Sequence, residues 1–265
     1  MKTARTAGEL RRLLQPFRSG ATIGLVPTMG AFHDGHVALF RAARRACNPV
    51  VTSLFVNPTQ FADPADLAAY PRDEPRDARI AEESGVDYLF APGVDDMFPR
   101  GHATWIDVEG AALGLEGDSR PGHFRGVATV CLKLFTIVRP RVAFFGQKDA
   151  QQVAVIRQMV RDLNLELEIR VVPTVRDQDG LALSSRNVRL SAAERERALA
   201  IPRALEAGRA AYRLGRDAVA AARAALAGIE PDYVAIADFD GRPTLAIAAR
   251  VGGTRLIDNI PLDER

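Results

Sequence analysis

The sequence has 265 residues, of which 47% are hydrophobic and 26% are charged, and its formal net charge is +2 at pH 7. These values are typical of a folded globular chain with one large domain, or one domain and a smaller partner, and they exclude general disorder. So small a net charge does not favour nucleic acid or a membrane surface as a partner.

Short apolar runs and amphipathic segments alternate along the first two thirds of the chain. An amphipathic helix is predicted at residues 8–18. Strands are predicted at 22–26, 50–56, 88–90, 142–145 and 168–172, and helices at 35–46, 75–84, 124–138 and 150–163. This alternation predicts an α/β fold in which a parallel sheet is flanked by helices, with ligands at the carboxyl ends of the strands.

The pattern changes after residue 176. Arg176–Gly180 is interpreted as a linker, and the spacing of Ser191 and Glu194 matches a capping box that opens a helix. Pro202 is expected to kink or interrupt that helix. A further helix is predicted at 217–227 and short strands at 233–237, 244–248 and 254–257. We therefore predict a first domain at residues 1–176 and a smaller α/β domain at residues 177–265.

The segment from Pro27 to His36 carries two of the four histidines, where a predicted strand gives way to a helix. Gly30 and Gly35 allow close approach of the backbone to a ligand, and a helix start attracts phosphate. His33 and His36 can donate hydrogen bonds to charge that develops on a phosphoryl group. This context favours a phosphate site over two structural histidines. No third ligand for zinc lies nearby in the sequence, so we predict no protein metal site.

Asn57 and Gln60 follow the predicted strand at 50–56. Their amides offer both donors and acceptors and suit a small polar substrate. Taken alone, the segment is better explained as a polar loop held by its own side-chain-to-backbone bonds. The other motifs decide between the two.

Lys148 and Asp149 follow the predicted strand at 142–145, and Gln152 lies near the start of the next helix. Lys148 is one of only three lysines among 35 basic residues, and it is placed where a phosphate charge can be met. Asp149 can accept hydrogen bonds from ribose hydroxyls. Ordinary capping of a helix start is the competing interpretation.

Ser184, Ser185 and Arg186 form a compact set of anion donors near the predicted domain junction. A flexible loop between domains is the alternative, but a clamp that closes on a nucleotide also fits this position. The chain has neither a G-x-x-x-x-G-K-[ST] loop nor a G-x-G-x-x-G turn, so ATP must be bound by another route.

Taken together and in order, these motifs resemble the pantothenate synthetase family, the pantoate–β-alanine ligases. H-x-G-H occurs in a whole superfamily of nucleotidyltransferases, whereas the combination is specific to this family. The matching motifs are PTMGAFHDGH from Pro27, FVNPTQF from Phe55, YPRD at Tyr70–Asp73, SRPGHFRGV at Ser119–Val127, FGQKDAQQ from Phe145, LALSSRN from Leu181 and RLIDN at Arg255–Asn259.

The resemblance implies a Rossmann-type domain at residues 1–176 that binds ATP and pantoate, a C-terminal lid domain at 177–265 and a homodimer. It implies that ATP and pantoate form pantoyl adenylate and pyrophosphate, and that β-alanine then displaces AMP to give pantothenate. ATP is the co-substrate with Mg²⁺, and no tightly bound organic cofactor is expected.

The resemblance also assigns roles to individual residues. The expected catalytic residues are His36 as proton donor, His33 on the triphosphate and Lys148 on phosphate. The expected pantoate and β-alanine residues are Asn57, Gln60 and Gln152. The expected ATP-binding residues are Met29, Gly30, Ala31, Phe32, His33, Asp34, Gly35, His36, Gly146, Gln147, Lys148, Asp149, Val175, Leu183, Ser184, Ser185 and Arg186.

Two features of the sequence depart from the family. Gln147 stands where the family usually has glutamate, which removes a negative charge, but Lys148 and Asp149 are present, so we expect activity to survive. The C-terminal domain is also shorter than usual before Thr244. This bears on the lid and not on the chemistry.

Three other functions fit parts of the pattern. An adenylyltransferase that joins AMP to a phosphate also uses H-x-G-H, but the paired glutamines and the SSRN segment favour a carboxylate. A nucleotide-binding regulator without catalysis is disfavoured because His33, His36 and Lys148 are all present. An RNA-binding protein is expected to show a basic stripe or a stacking motif, and the sequence has neither.

The cysteine spacing and the lengths of the apolar runs lead to expectations about the compartment and the partners of the protein. Cys47 and Cys131 lie far apart and outside metal-ligand spacing, which argues against a disulfide scaffold or a zinc site. The amino-terminal segment has no apolar signal-peptide core, and the apolar runs are too short to cross a bilayer. We therefore expect a cytoplasmic protein with small-molecule substrates and neither nucleic acid nor membrane as a partner.

Overall fold

The computed structural model describes residues 1–239 and 241–263, which divide into two compact units. The first unit contains Met1–Gly146 and Gln151–Val172, and the second contains Gln147–Ala150 and the chain from Pro173 onward. Positions 240, 264 and 265 of the predicted domain at 177–265 lie outside the described residues.

The first unit is built on a six-stranded sheet in which every pair of neighbouring strands is parallel. Three of its interior strands, Gly24–Val26, Val50–Ser53 and Tyr88–Phe90, are short and buried throughout, as expected for a parallel sheet that helices cover on both faces. This confirms the predicted α/β sheet. The strands are β1 (Lys2–Ala4), β2 (Gly24–Val26), β3 (Val50–Ser53), β4 (Tyr88–Phe90), β5 (Val142–Gly146) and β6 (Glu168–Val172), in the order β1-β4-β3-β2-β5-β6.

Helices connect these strands. They are α1 (Ala7–Leu14), α2 (Asp34–Ala46), α3 (Pro64–Ala68), α4 (Glu74–Glu83), α5 (Val94–Met97), α6 (Glu116–Ser119), α7 (His123–Val138) and α8 (Ala150–Asp162). The helix predicted at 8–18 ends at Leu14 and continues as a 3₁₀ turn, Gln15–Phe17, because Pro16 has no N–H to extend the α-helical ladder. Among the described residues, no helix combines the length and the apolar character needed to span a membrane.

The strand predicted at 50–56 ends at Ser53. Beyond it, the Phe55 N–H donates to the carbonyl of Thr28 at 3.2 Å, and the Thr28 hydroxyl donates to the carbonyl of Ser53. In place of further sheet pairing, these bonds join the segment after β3 to the segment after β2.

The strand order reverses between β2 and β5. The chain runs from β2 through β3 to β4 on one side, and from β5 to β6 on the other. Open α/β sheets bind ligands in the crevice outside the carboxyl ends of the strands at such a point. β2 ends directly before Pro27, and β5 ends at Gly146, so both segments that the sequence singled out leave the sheet there.

The second unit combines helices with an antiparallel sheet. Its helices are α9 (Ala192–Ala198), α10 (Ala200–Arg213) and α11 (Ala218–Ala225), and its strands, in spatial order, are β7 (Pro231–Asp238), β8 (Pro243–Val251) and β9 (Thr254–Pro261). Leu205, Leu245 and Ile247 lie in its apolar core. The capping box at Ser191 is confirmed.

The predicted interruption at Pro202 is also confirmed, and it falls between α9 and α10. Pro202 lies in the first turn of α10. N–H groups in the first turn of a helix have no acceptor within that helix, so proline is tolerated there although it has no N–H. If the preceding helix continued through Pro202, the proline ring would clash with the carbonyl four residues earlier. The break at Leu199 follows from this geometry.

Candidate active site

His33 and His36 meet at the amino end of α2, with their ring centroids 4.3 Å apart. The Nδ1 atom of His33 accepts from the Gly35 N–H at 3.1 Å, and that of His36 accepts from the His33 N–H at 3.3 Å. When one nitrogen of a neutral imidazole accepts, the other carries the proton. The helix cap therefore fixes both rings as Nε2–H tautomers, which are hydrogen-bond donors.

The backbone before α2 takes a shape that few side chains allow. Gly30 has a φ of +91°, and a Cβ there would lie 2.6 Å from Leu54 Cδ1. At Gly35, a Cβ would lie 2.7 Å from Cε1 of His33, so the absence of a side chain lets His33 cap the helix. Ala31 has a φ of +54°, a left-handed conformation that is uncommon for alanine.

A buried carboxylate holds this turn. Asp77 of α4 is 1% exposed and accepts from the Ala31 N–H at 2.7 Å and the Phe32 N–H at 2.8 Å. The neighbouring Arg76 donates to the Phe32 carbonyl at 3.0 Å and lies 3.4 Å from the Asp77 carboxylate. Asp77 is not among the predicted site residues, although it lies four residues after the YPRD motif.

Replacing Asp77 with asparagine should lower the free energy of unfolding by roughly 1–3 kcal/mol, the usual loss when a buried donor is left unpaired. Asparagine offers one acceptor oxygen to two buried N–H groups. Urea denaturation measures the change. The matched control is Asp73→Asn at the exposed N-cap of α4, which accepts from the Arg76 N–H and where asparagine caps as well as aspartate. Equal stability of the two variants would contradict the role of Asp77.

Gln60 ends a 3₁₀ turn, Pro58–Gln60, that follows β3. Asn57 is 1% exposed and Gln60 is 7% exposed. The Asn57 Nδ2 donates to Gln60 Oε1 at 2.8 Å and to the Gly126 carbonyl at 3.2 Å, while its Oδ1 accepts from Thr59. Asn57 therefore orients Gln60 with a side chain whose donors and acceptor are all engaged.

The start of α7 supports the same turn. His123 Nδ1 donates to the Gln60 carbonyl at 3.0 Å, and Arg120 donates to that oxygen at 3.1 Å. The His123 Nε2 then accepts from Arg120 at 3.1 Å. A Cβ at Gly126 would overlap the Thr59 carbonyl, so glycine permits this close packing. Arg120, His123 and Gly126 belong to SRPGHFRGV, a motif for which no individual role was predicted.

Gln151 and Gln152 differ at the start of α8. Gln151 is buried and donates to the carbonyls of Ala111, Leu113 and Gly114, so it fastens the segment before α6. Gln152, the predicted pantoate residue, is half-buried. Their contacts therefore identify Gln151 as a structural amide and leave Gln152 as the candidate substrate ligand. The sequence alone does not make this distinction, because the two glutamines are adjacent.

In the second unit, Lys148 and Asp149 share a 3₁₀ turn, Gln147–Asp149. Lys148 Nζ lies 3.6 Å from Asp149 Oδ1, and the two side chains are 18% and 47% exposed. The Lys148 side chain is therefore largely buried, and a charge beside the protein interior acts more strongly than one in bulk water.

Val175 and the Leu183–Arg186 segment also lie together in the second unit. The Leu183 N–H donates to the Val175 carbonyl at 3.0 Å, and Arg176 and Ala182 form the next pair. Ser184 accepts from the Arg186 N–H at 3.2 Å and caps the 3₁₀ turn that follows. The predicted nucleotide residues on either side of the linker are thus neighbours.

The cysteines are buried. Burial raises the pKa of the Cys131 thiol to about 12 and also raises the pKa of Cys47. Both thiols therefore stay protonated at neutral pH. Across residues 1–239 and 241–263, no group of three or more His, Cys, Asp or Glu side chains is placed to hold a metal ion.

Comparisons with known proteins identify one family. A family model described as pantoate-beta-alanine ligase matches residues 2–261. The pantothenate synthetase of Heliobacterium modesticaldum is 52% identical over 93% of each chain, and that of Cereibacter sphaeroides is 50% identical over 97% of this chain and 98% of its own.

Solved structures agree with the sequence comparisons. The pantothenate synthetase of Thermus thermophilus matches with a TM-score of 0.94 and 45% identity over 99% of both chains. The pantoate-beta-alanine ligase of Francisella tularensis, described as complexed with beta-gamma ATP and beta-alanine, matches with a TM-score of 0.85 and 35% identity over 99% of this chain and 98% of that chain.

Proposed function

This chain belongs to the pantoate–β-alanine ligase family, and we propose how its own residues carry out the reaction of that family. The family resemblance seen in the motifs is confirmed, and the chain is an ATP-using ligase that forms pantothenate from pantoate and β-alanine.

The proposed reaction has two steps. In the first, a carboxylate oxygen of pantoate attacks the α-phosphorus of ATP, pyrophosphate leaves, and pantoyl adenylate forms. In the second, the amine of β-alanine attacks the acyl carbon, the bond to AMP breaks, and a proton is released as the amide of pantothenate forms. The first step brings two anions together, so it depends on positioning and on stabilisation of negative charge.

The arrangement of His33 and His36 is the observation that carries this proposal. Both rings lie at the positive end of the α2 dipole and are fixed as Nε2–H donors. We assign His33 to the triphosphate and His36 to the charge that develops during adenylation. The segment from Met29 to His36 is assigned to ATP. Its location after β2, at the reversal of the strand order, supports this assignment.

Gln60 and Gln152 are assigned to pantoate, and Gln60 also borders β-alanine. Because Asn57 engages the Gln60 oxygen, the Nε2 amino group of Gln60 is the part suited to donate to a substrate oxygen. Asn57 then acts on the substrate through Gln60.

The second set of ATP residues is assigned by the family motifs and by their packing. Gly146 and Gln147 are assigned to ATP, Lys148 to phosphate and Asp149 to ribose. Val175 is assigned to adenine through its backbone. Leu183, Ser184, Ser185 and Arg186 are assigned to the phosphate side, where serine hydroxyls and arginine favour anions.

The resemblance also supports several broader proposals. Residues 1–176 bind ATP and pantoate, residues 177–265 act as a lid, and the enzyme is a cytoplasmic homodimer. Mg²⁺ accompanies ATP; bound mainly to phosphate oxygens and water, it neutralises phosphate charge.

The proposal is tested by exchange of labelled pyrophosphate into ATP. Purified protein with MgATP should catalyse the exchange only when pantoate is added, and it should release AMP and pantothenate in equal amounts once β-alanine is present. An enzyme that transfers AMP to a phosphate would instead show exchange with a phosphorylated acceptor. Absence of pantoate-dependent exchange refutes the ligase assignment.

A further inference from the structure

Asn259, near the end of β9, holds the turn that carries Lys148. Its Nδ2 donates to the Gln147 carbonyl at 3.0 Å and to the Lys148 carbonyl at 2.8 Å. These carbonyls belong to the peptide groups on either side of the Lys148 Cα, so the two bonds restrain both φ and ψ of Lys148. Asn259 and the turn belong to the same compact unit, and Asn259 is 5% exposed.

Gln147 completes this network with a donor. Both hydrogens of Asn259 Nδ2 go to carbonyl oxygens, so Asn259 Oδ1 is an acceptor, and it accepts from Gln147 Nε2 at 3.1 Å. A glutamate at this position is an acceptor only when ionised and would face another acceptor. Glutamine at position 147 is therefore matched to Asn259 in this chain.

Asp258 fixes the strand that presents Asn259. Its buried carboxylate accepts two hydrogen bonds from Arg176, at 2.6 and 3.1 Å, and a third from the Asn259 N–H at 2.8 Å. A bidentate arginine–carboxylate pair defines geometry as well as adding energy. The Asn259 amide is therefore already in place when a nucleotide arrives.

We propose that Asn259 is a positioning residue that aligns Lys148 with a phosphate of ATP, and that Gln147 orients the Asn259 amide. The RLIDN segment thereby acquires a function in catalysis. The inference rests on the proposed role of Lys148 as the phosphate-binding cation.

The test measures the single-turnover rate of adenylation at saturating ATP, together with the KM for ATP. Asn259→Ala should lower the rate by about tenfold or more, since misplacing a catalytic group by about 1 Å can reduce a rate a hundredfold. In a Lys148→Ala background the same substitution should change the rate by less than about twofold, because contacts in one network are not additive. Gln147→Glu, which leaves Asn259 in place but sets a carboxylate acceptor against its Oδ1, should lower the rate about threefold, on the scale of one weakened hydrogen bond.

Thr254→Ala is the matched control for loss of stability. Thr254 is also a buried polar residue of β9, at the opposite end of the strand. The Thr254→Ala substitution should lower the melting temperature of the protein without changing the adenylation rate. If Asn259→Ala does not fold, the same comparison is made with Gln147→Glu in both backgrounds.

Two failures are distinguishable. If Lys148→Ala is slow but the loss from Asn259→Ala, or from Gln147→Glu in its place, is equal in both backgrounds, the positioning role is wrong and the proposed function stands. If Lys148→Ala is itself as fast as the unmodified enzyme, the proposed role of Lys148 is wrong and the inference falls with it.

Discussion

Replacing His36 with alanine should slow the formation of pantoyl adenylate by at least about a hundredfold, the scale of losing one preorganised transition-state donor. The substitution removes the Nε2–H group that the cap fixes at the start of α2. It also removes the acceptor for the His33 N–H, which is a loss of about 1 kcal/mol for a helix cap and leaves the fold intact. Single-turnover rates at saturating ATP and pantoate measure the effect directly.

Two variants distinguish the two functions of the His36 ring, the hydrogen-bond donor at Nε2 and the helix-capping acceptor at Nδ1. His36→Asn places an amide oxygen near the position of Nδ1, so it keeps the cap but loses the distal donor. His36→Gln places an amide N–H near the position of Nε2, so it should recover part of the rate. A near-normal rate in His36→Ala, or a faster rate in His36→Asn than in His36→Gln, would contradict the assigned role.

Replacing Lys148 with alanine should also slow adenylation by at least about a hundredfold, because the positive charge of a largely buried side chain is lost from beside developing negative charge. Lys148→Met keeps most of the side-chain volume without the charge and should be as slow. Lys148→Arg keeps the charge but replaces a compact ammonium with a planar fork, so it should recover only part of the rate.

Lys133→Met is the matched control for removing a lysine. Lys133 lies on α7 with its Nζ 5.6 Å from the centroid of the Phe98 ring, and it belongs to none of the motifs assigned to ATP. The rate of this variant should stay within about twofold of that of the unmodified enzyme, as expected for a half-buried lysine outside the motifs assigned to ATP. If Lys148→Met matches this control, the phosphate role of Lys148 is wrong.

Hydrophobic patterning predicted the long helix α7 because it buries a continuous apolar face. The helix predicted at 124–138 begins one residue earlier, at His123, and the strands predicted at 88–90 and 168–172 have the predicted bounds. β1 has only three residues and α5 and α6 have four each, and their polar residues leave no apolar run, whereas β4 is equally short but consists of Tyr, Leu and Phe. β9 extends beyond its predicted end because antiparallel pairing with β8 includes Asp258 and Asn259, whose strand propensity is low.

In the candidate site, contacts between residues close in the sequence could be predicted, whereas contacts between residues far apart in the sequence could not. His33 and His36 are three residues apart, so their relation to one helix start is visible in the sequence. Asp77 acts on Ala31 across 46 residues, and Asn259 acts on Gln147 across 112 residues. Only folding brings such pairs together, which is why the motifs marked these segments without revealing what the side chains support.

The transfer of oxygen tests the central claim most directly. Pantoate labelled with ¹⁸O at both oxygens of its carboxylate is incubated with the enzyme, MgATP and β-alanine. The masses of the AMP and pantothenate that form are then measured by mass spectrometry. If the carboxylate attacks the α-phosphorus and the amine then displaces AMP, each AMP carries one ¹⁸O atom and pantothenate retains the other. Unlabelled AMP, or label that appears instead in inorganic phosphate or pyrophosphate, would contradict an acyl-adenylate intermediate.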